Sequence, residues 1–348
     1  MRVAVVVNQV TTGVVNTFGP KCPEKYGAKA IQDVVQALEE NGHRVLLCEG
    51  DKNLLAELEK FMPAEGDGRP GGMVFNMAYG IQGECRYTHV PAALEMAGVP
   101  YTGSSPLGHA LALDKVITKM LIRAAGVPTP DFEVMKRFDP RRPFGLRFPV
   151  VVKPRHESTS FGLQLVYDCE QLKEAVRMVV EQYQQEALVE EYIDGREVCV
   201  GLLGNQDMEF LPLVEQDFGV RQTKIITWED KIHHTDAETR KICPAQIRED
   251  LNEKLKSISL ATFRACQCRD YARVDIRIDK NETPYVLEIN SMASLGGTGS
   301  YVLAASTAGY SFAELVDRIL NVAHSRYFGN PALRDASGTG TPYATMTQ

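Results

Sequence analysis

Apolar positions along the chain recur with two periods, and these divide it into strands and helices. Val3–Val7 is an unbroken apolar run and reads as a strand. In Gly27–Asn41 the apolar residues Ala30, Ile31, Val34, Val35 and Leu38 recur at helical spacing, and Gly42 ends the segment. A second strand, His43–Cys48, follows, so the chain opens β–α–β, the signature of a parallel sheet. A third strand, Met73–Asn76, comes after the Gly/Pro-rich loop Pro63–Gly72. Val90–Ala97 and Ser105–Ala125 read as helical, the second too long for one uninterrupted element.

The breaker cluster Gly126-Val-Pro-Thr-Pro130 marks a first boundary. Beyond it, Val150–Lys153 and Leu163–Tyr167 read as strands around the polar loop Pro154–Gly162. Glu170–Gln185 follows as a helix and Ala187–Glu191 as a strand. Val198–Leu203 and Glu209–Val214 suggest a hairpin across Gly204-Asn205, and Gln246–Gln267 suggests a long helix. Tyr301–Ala308 and Ser311–Ser325 are helical, with Ser311 and Glu314 at capping-box spacing. The stretch 329–348 is polar and rich in Gly, Pro and Thr, and reads as a disordered tail.

Candidate chemistry concentrates in Tyr271–Gly299. Arg273 and Asp275 lie two apart, as do Glu288 and Asn290 after a turn, and side chains two apart on a strand share a face. If the strands pair, one Arg, two carboxylates and an Asn converge. Hard oxygen ligands without His or Cys suit Mg²⁺ beside phosphates, and the Arg suits a phosphate, a carboxylate or developing charge. The same alternation also suits a solvated sheet face, and these residues alone leave both readings open. Lys153 ends an apolar strand and precedes the loop ESTSFG, a phosphate clamp or a snorkelling surface lysine. Neither a Walker loop nor a dinucleotide-binding glycine fingerprint is present.

Composition narrows the class. The 348 residues exceed one ordinary core, so two or three domains are expected. A net charge of −7 argues against a nucleic-acid partner. No apolar run is long enough to span a bilayer, and the opening MRVAVVVNQV has no signal-peptide pattern, so a cytoplasmic location is expected. The eight cysteines are scattered, and free thiols in a reducing compartment are expected.

The ordered segments FPVVVKP, LVEEYIDGREVCV, KICPA, ARVDIRID and VLEIN, preceded by FNMAYGIQGECRYTHVPAALEMAGVPYTGS and LALDKVITKMLIRAAGVPTPDF, resemble the D-alanine–D-alanine ligase branch of the ATP-grasp superfamily. The resemblance covers residues 1–328. It implies an α/β fold (α+β in parts) of three domains, with ATP held between two antiparallel sheets. The domains fall at 1–114 (Rossmann-like), 115–200 (central) and 201–328 (C-terminal, with the Mg²⁺ site).

By the same resemblance, Lys115 and Lys153 contact ATP phosphates, and Thr159 and Ser160 lie in the lid loop. Glu190, Glu191, Tyr192 and Ile193 form the adenine hinge, and Glu197 takes the ribose hydroxyls. Lys231 sits on a mobile loop over the phosphates. Asp275, Glu288 and Asn290 match ligands of two Mg²⁺ ions (Mn²⁺ being an alternative), and Arg273 lies beside the transferred phosphate. The implied reaction joins an amino acid or small carboxylic acid to an amine through an acyl phosphate, releasing ADP and phosphate. A homodimer is what the family suggests.

The chain departs from the family pattern around the organic substrates. The family's glycine-rich loop after the first strand carries a glutamate that holds an ammonium; here the segment is NQVTTGVVNTFGPKCPEKYG, longer and unmatched, with Glu24 nearby. Tyr79-Gly80 replaces His-Gly, and Glu84-Cys85-Arg86 replaces Glu-Asp-Gly. After Asn290, Ser294 takes the place of a glycine that assists the oxyanion, and Gly299 that of a substrate serine, with Ser300 one residue beyond. Tyr79, Glu84 and Arg86 are therefore candidates for substrate contact, together with Ser294, Gly299 and Ser300. Three alternatives stand beside the altered-substrate ligase. They are a genuine cell-wall D-alanine–D-alanine ligase, an ATP-grasp enzyme that phosphorylates a carboxylate without forming an amide, and an ATP-binding regulatory or assembly module without turnover.

Overall fold

The computed structural model describes residues 1–329, apart from 11, 18–21, 23, 67, 69, 222–223 and 227–238. The expected tail beyond residue 329 thus lies outside the described residues, as does Lys231.

The β–α–β opening forms a parallel sheet of order β2-β1-β3, from β1 (Arg2–Val7), β2 (Arg44–Glu49) and β3 (Gly72–Asn76). Its apolar runs are covered by α1 (Ala28–Glu40) on one face and by α2 (Leu54–Phe61) and α3 (His89–Ala97) on the other. The long helical segment splits into α4 (Pro106–Leu113) and α5 (Lys115–Ala124). The break falls at Asp114, which is extended and caps α5 by accepting from the backbone N–H groups of Val116 and Ile117 at 3.0 and 3.1 Å.

A second, antiparallel sheet of order β4-β7-β5-β6 is built from β4 (Phe132–Met135), β5 (Val150–Pro154), β6 (Gln164–Val166) and β7 (Ala187–Glu191). It is backed by α6 (Cys169–Tyr183), through Leu172, Val176 and Val179. The third sheet is also antiparallel, in the order β11-β10-β8-β12-β13. It comprises β8 (Gly195–Leu203), β10 (Val214–Asp217), β11 (Arg240–Ile242), β12 (Tyr271–Asp279) and β13 (Pro284–Asn290), with β9 (Glu209–Phe210) also on β8. The expected strand Glu209–Val214 is divided at Pro212, which has no N–H to donate, although the Leu211 N–H still reaches the Gly201 carbonyl of β8 at 2.9 Å. By sheet membership, all nine residues of β8 lie with the third sheet, so a boundary after residue 200 cuts through a strand.

Helix α7 (Glu249–Ala265) covers the outer face of the third sheet with Leu251, Leu255 and Phe263. The C-terminal helices α8 (Ser300–Thr307) and α9 (Phe312–Phe328) return to the start of the chain. Leu315, Val316 and Ile319 join the core of Val3, Val5 and Ile31. The Ser311/Glu314 capping box closes as expected, at 3.2 and 2.8 Å.

Candidate active site

Between the second and third sheets lies a cavity of about 870 Å³, lined at one end by the cluster Glu24, Tyr26, Tyr79 and Tyr87. Each wall carries its own set of charges.

On the third sheet, β12 and β13 pair so that Arg273 faces Asn290 and Asp275 faces Glu288, with a bulge directly after Asp275. All four side chains line the cavity. Arg273 donates from Nε and Nη2 to the two oxygens of Asp275 at 2.7 Å each, and Asn290 Nδ2 donates to Asp275 Oδ2 at 3.0 Å. Burial opposes the Arg273 charge, but Asp275 more than compensates and raises its pKa.

On the facing wall, Lys115 opens α5 and Lys153 is the second-last residue of β5. Lys115 Nζ donates to the Glu157 carbonyl and stands 3.7 Å from Glu288 Oε2, which joins the two walls. Lys153 and Lys119 hold the two oxygens of Glu190 at 2.5 and 2.7 Å. Lys119 is fully buried, and burial lowers its pKa to about 8 against the pull of Glu190. Burial pushes Glu190 up, but the two ammonium charges outweigh it and bring its pKa down to about 2. Burial likewise opposes the Lys153 charge, with Glu190 and Glu288 raising its pKa beyond that opposition.

The loop after β5 is pinned at its base. Arg155 pairs with Asp114 through Nε and Nη2 at 2.8 and 2.6 Å, and with Glu186 at 2.5 Å. Thr159 and Ser160 then run in left-handed backbone, at φ of 56° and 62°, on the cavity side. Two consecutive non-glycine residues in that region are uncommon and locally costly.

Every nucleotide candidate among the described residues lines this one cavity: Lys115, Lys153, Thr159, Ser160, Glu190, Glu191, Tyr192, Ile193 and Glu197. So do Tyr79, Ser294, Gly299 and Ser300. Glu84 and Arg86 do not. Glu84 is exposed and lies outside the cavity lining. Arg86 is buried behind the cavity, where it donates to Glu157 Oε2 at 3.2 Å and the His156 carbonyl at 3.1 Å and lies 3.7 Å from Glu24. Its partners are thus the chain's own carboxylates. Gly80 makes that packing feasible: its φ is +82°, and a Cβ there would meet the Arg86 carbonyl oxygen at 2.2 Å.

The sequence assigns no role to Tyr26, Tyr87, Lys119 or Arg277, and offers Glu24 only as a neighbour of the unmatched loop. Glu24 is buried on the cavity wall and accepts a hydrogen bond from the Tyr87 hydroxyl. Tyr26 stacks on Tyr79, centroids 4.9 Å apart and planes at 9°. Two signals were available: Lys119 is four residues after Lys115 on α5, and Arg277 continues the alternation of Arg273 and Asp275.

The donor set fits a magnesium–phosphate site. Asp275, Glu288 and Asn290 offer two carboxylates and an amide on one wall, the amide oxygen lying outside the bond to Asp275. Among the described residues no cluster of three or more His, Cys, Asp or Glu is arranged to hold a metal without help.

A family model described as the D-ala D-ala ligase C-terminus matches residues 121–321. A D-alanine–D-alanine ligase of Carboxydothermus hydrogenoformans is 33% identical over 82% of this chain and 90% of its own. An uncharacterized protein of Sinorhizobium fredii is 58% identical over 96% of this chain and its own full length. Among solved structures, the D-alanine–D-alanine ligase of Bacillus anthracis complexed with ATP superposes with a TM-score of 0.71. That match covers 94% of this chain and 98% of the other, at 22% identity, and shows the shared fold. The family match and the relatives, together with the fold, define an ATP-grasp protein, an ATP-dependent carboxylate–amine ligase by class. The chain belongs to the D-alanine–D-alanine ligase family. No helix among its described residues is long and apolar enough to cross a membrane.

Proposed function

We propose that this protein uses Mg-ATP to activate the carboxylate of an amino acid or small acid, and that an amine then attacks to form an amide. The observation that carries this reading is the β12–β13 register, which sets Arg273, Asp275, Glu288 and Asn290 on one wall opposite Lys115 and Lys153 on the other. Phosphoryl transfer needs little from a protein beyond positioning and neutralised charge. The two lysines suit the phosphate chain, and Arg273 suits charge that develops on the transferred group. Asp275, Glu288 and Asn290 would hold two Mg²⁺ ions, which when bound neutralise phosphate charge. The hinge Glu190–Ile193 and Glu197 suit adenine and ribose. Glu24, a carboxylate at the far end, suits a substrate ammonium.

Transfer of the γ-phosphoryl group gives the carboxylate a leaving group it lacks. The amine displaces phosphate, and ADP and phosphate leave. The loop carrying Thr159 and Ser160 would exclude water from the acyl phosphate.

For the organic substrates we favour building blocks other than two D-alanines. The Tyr26–Tyr79 stack and Tyr87 surround Glu24 and make that end of the cavity aromatic. The test is ADP release from Mg-ATP with D-alanine against a no-substrate control, with mass spectrometry of the product. Strong stimulation by D-alanine alone with dipeptide formed would assign the cell-wall reaction. Stimulation only by other acid–amine pairs would support the altered substrate, and no ADP release with any pair would sink the ligase reading.

A further inference from the structure

Arg277 occupies a position in the cavity that the phosphoryl-transfer chemistry leaves without a role. It follows Asp275 by two residues on β12 and so points to the same face, yet its side chain is only 4% exposed. A buried guanidinium is tolerated only when its donors are satisfied. Here all three nitrogens are engaged. Nε and Nη2 donate to Glu197 Oε2 at 3.1 and 2.9 Å. Nη1 donates to the Tyr192 hydroxyl at 3.2 Å and the Ile193 carbonyl at 3.0 Å, and Nη2 also donates to the Lys224 carbonyl. The guanidinium carbon lies 5.0 and 5.6 Å from the ring centroids of Tyr192 and Phe218.

Two consequences follow from this geometry. Both bonds from Arg277 to Glu197 fall on Oε2, so Oε1 stays outside the fork and Glu197 is held with one oxygen for an incoming donor. The same guanidinium grips the hinge at Tyr192 and Ile193, so the separation between hinge and Glu197 is fixed through one rigid planar group. An adenosine must span these two points if the hinge reads the base and Glu197 the sugar.

We infer that Arg277 is a positioning residue that makes the site selective for a ribonucleotide, by presenting Glu197 Oε1 to a sugar hydroxyl at a fixed distance from the hinge. The inference rests on the proposed assignment of Glu197 to the ribose. A carboxylate that accepts a hydroxyl from a pre-set position rejects an analogue lacking it, because the prepared oxygen is left without its donor.

The test is calorimetric binding of Mg-ATP, Mg-2′-deoxy-ATP and Mg-3′-deoxy-ATP to the full chain, which requires no knowledge of the organic substrates. The native protein should bind at least one deoxynucleotide about tenfold more weakly than ATP, the effect of one lost hydrogen bond to a charged group. Arg277→Met keeps side-chain bulk and removes the fork; it should weaken ATP about tenfold and cut the deoxy penalty to about threefold or less. Arg277→Lys keeps the charge without the fork and should give an intermediate penalty, and it carries the test if the Met variant does not fold. Simple loosening of the fold would weaken all three nucleotides together and keep their ratio.

Glu197→Gln separates the inference from the reading beneath it. Loss of the penalty in Glu197→Gln with full retention in both Arg277 variants would overturn the role of Arg277 alone. Retention in all the variants, or no penalty in the native protein, would overturn the ribose assignment and the inference with it.

Discussion

Arg273 grips both oxygens of Asp275 from the same face of the same strand, at 2.7 Å each. The carboxylate is thereby fixed opposite Glu288, and the arginine itself is locked on the cavity wall. Removing Arg273 takes away a cation and also frees Asp275 to rotate. Arg273→Ala and Glu288→Ala should each lower the rate of ADP formation by about a hundredfold or more while the fold survives. Initial rates of ADP release, with the circular dichroism of each variant, check this. Full turnover by either would remove the assigned site.

Arg86 serves the structure behind the cavity. It sits between Glu157 and Glu24, both buried, and its loss leaves two carboxylates without their cation. Breaking a buried pair in this way costs about 3–5 kcal/mol. Arg86→Ala should therefore lower the denaturation midpoint strongly, and Arg86→Lys should recover only part of it, since one ammonium cannot reproduce the fork. Urea titrations measure this, and native stability in Arg86→Ala would return the residue to the list of substrate contacts.

The parts of this site that could be read from the sequence are those whose geometry is local. Arg273 and Asp275, like Glu288 and Asn290, share a face because a strand has period two, and a short turn brings the two strands together. The β–α–β opening and the capping box at Ser311 are local in the same sense. The Lys119–Glu190–Lys153 bridge joins α5, β7 and β5, so no spacing along the chain announces it. Arg86 reads as a substrate contact in sequence because a charged residue in a departing motif looks the same whether exposed or buried. That Ser105–Ala125 is interrupted follows from its length, but the position of the break at Asp114 is hidden because both flanking segments are apolar at helical spacing and the break depends on one side-chain cap.

That split gives a third expectation. Asp114 caps α5 and pairs with Arg155 through both oxygens, and Lys115 is the next residue. Asp114→Asn can still accept at the helix start but loses the charged fork, worth about 1–3 kcal/mol. The base of the loop after β5 then loses its anchor beside Lys115. ATP affinity should fall about three- to tenfold, following from this loss of pre-organisation, with the helix content unchanged. Binding titrations against circular dichroism test it, and unaltered ATP affinity would confine Asp114 to helix capping.

Glu190 makes the pH dependence of stability predictable in sign. Its pKa in the folded protein is about 2, against an ordinary value of 4.5, because Lys119 and Lys153 overcome the burial that would raise it. Between those values the unfolded chain binds more protons at this residue than the folded one, so its contribution is full above pH 4.5 and is lost as pH falls towards about 2. Glu190→Gln removes the charge permanently and leaves two buried ammonium groups facing a neutral amide, which should cost about 3–5 kcal/mol at neutral pH. The gap between native protein and variant should then hold above about pH 4.5 and narrow below it, as the unfolded chain takes up a proton at Glu190 that the folded protein resists. Denaturant titrations of both proteins from pH 7 to pH 3, about the span in which an ordinary carboxylate titrates, measure that gap. A gap that stays constant would mean that Glu190 contributes by shape and packing, and that the charge shared between α5 and β5 does not hold the phosphate wall together.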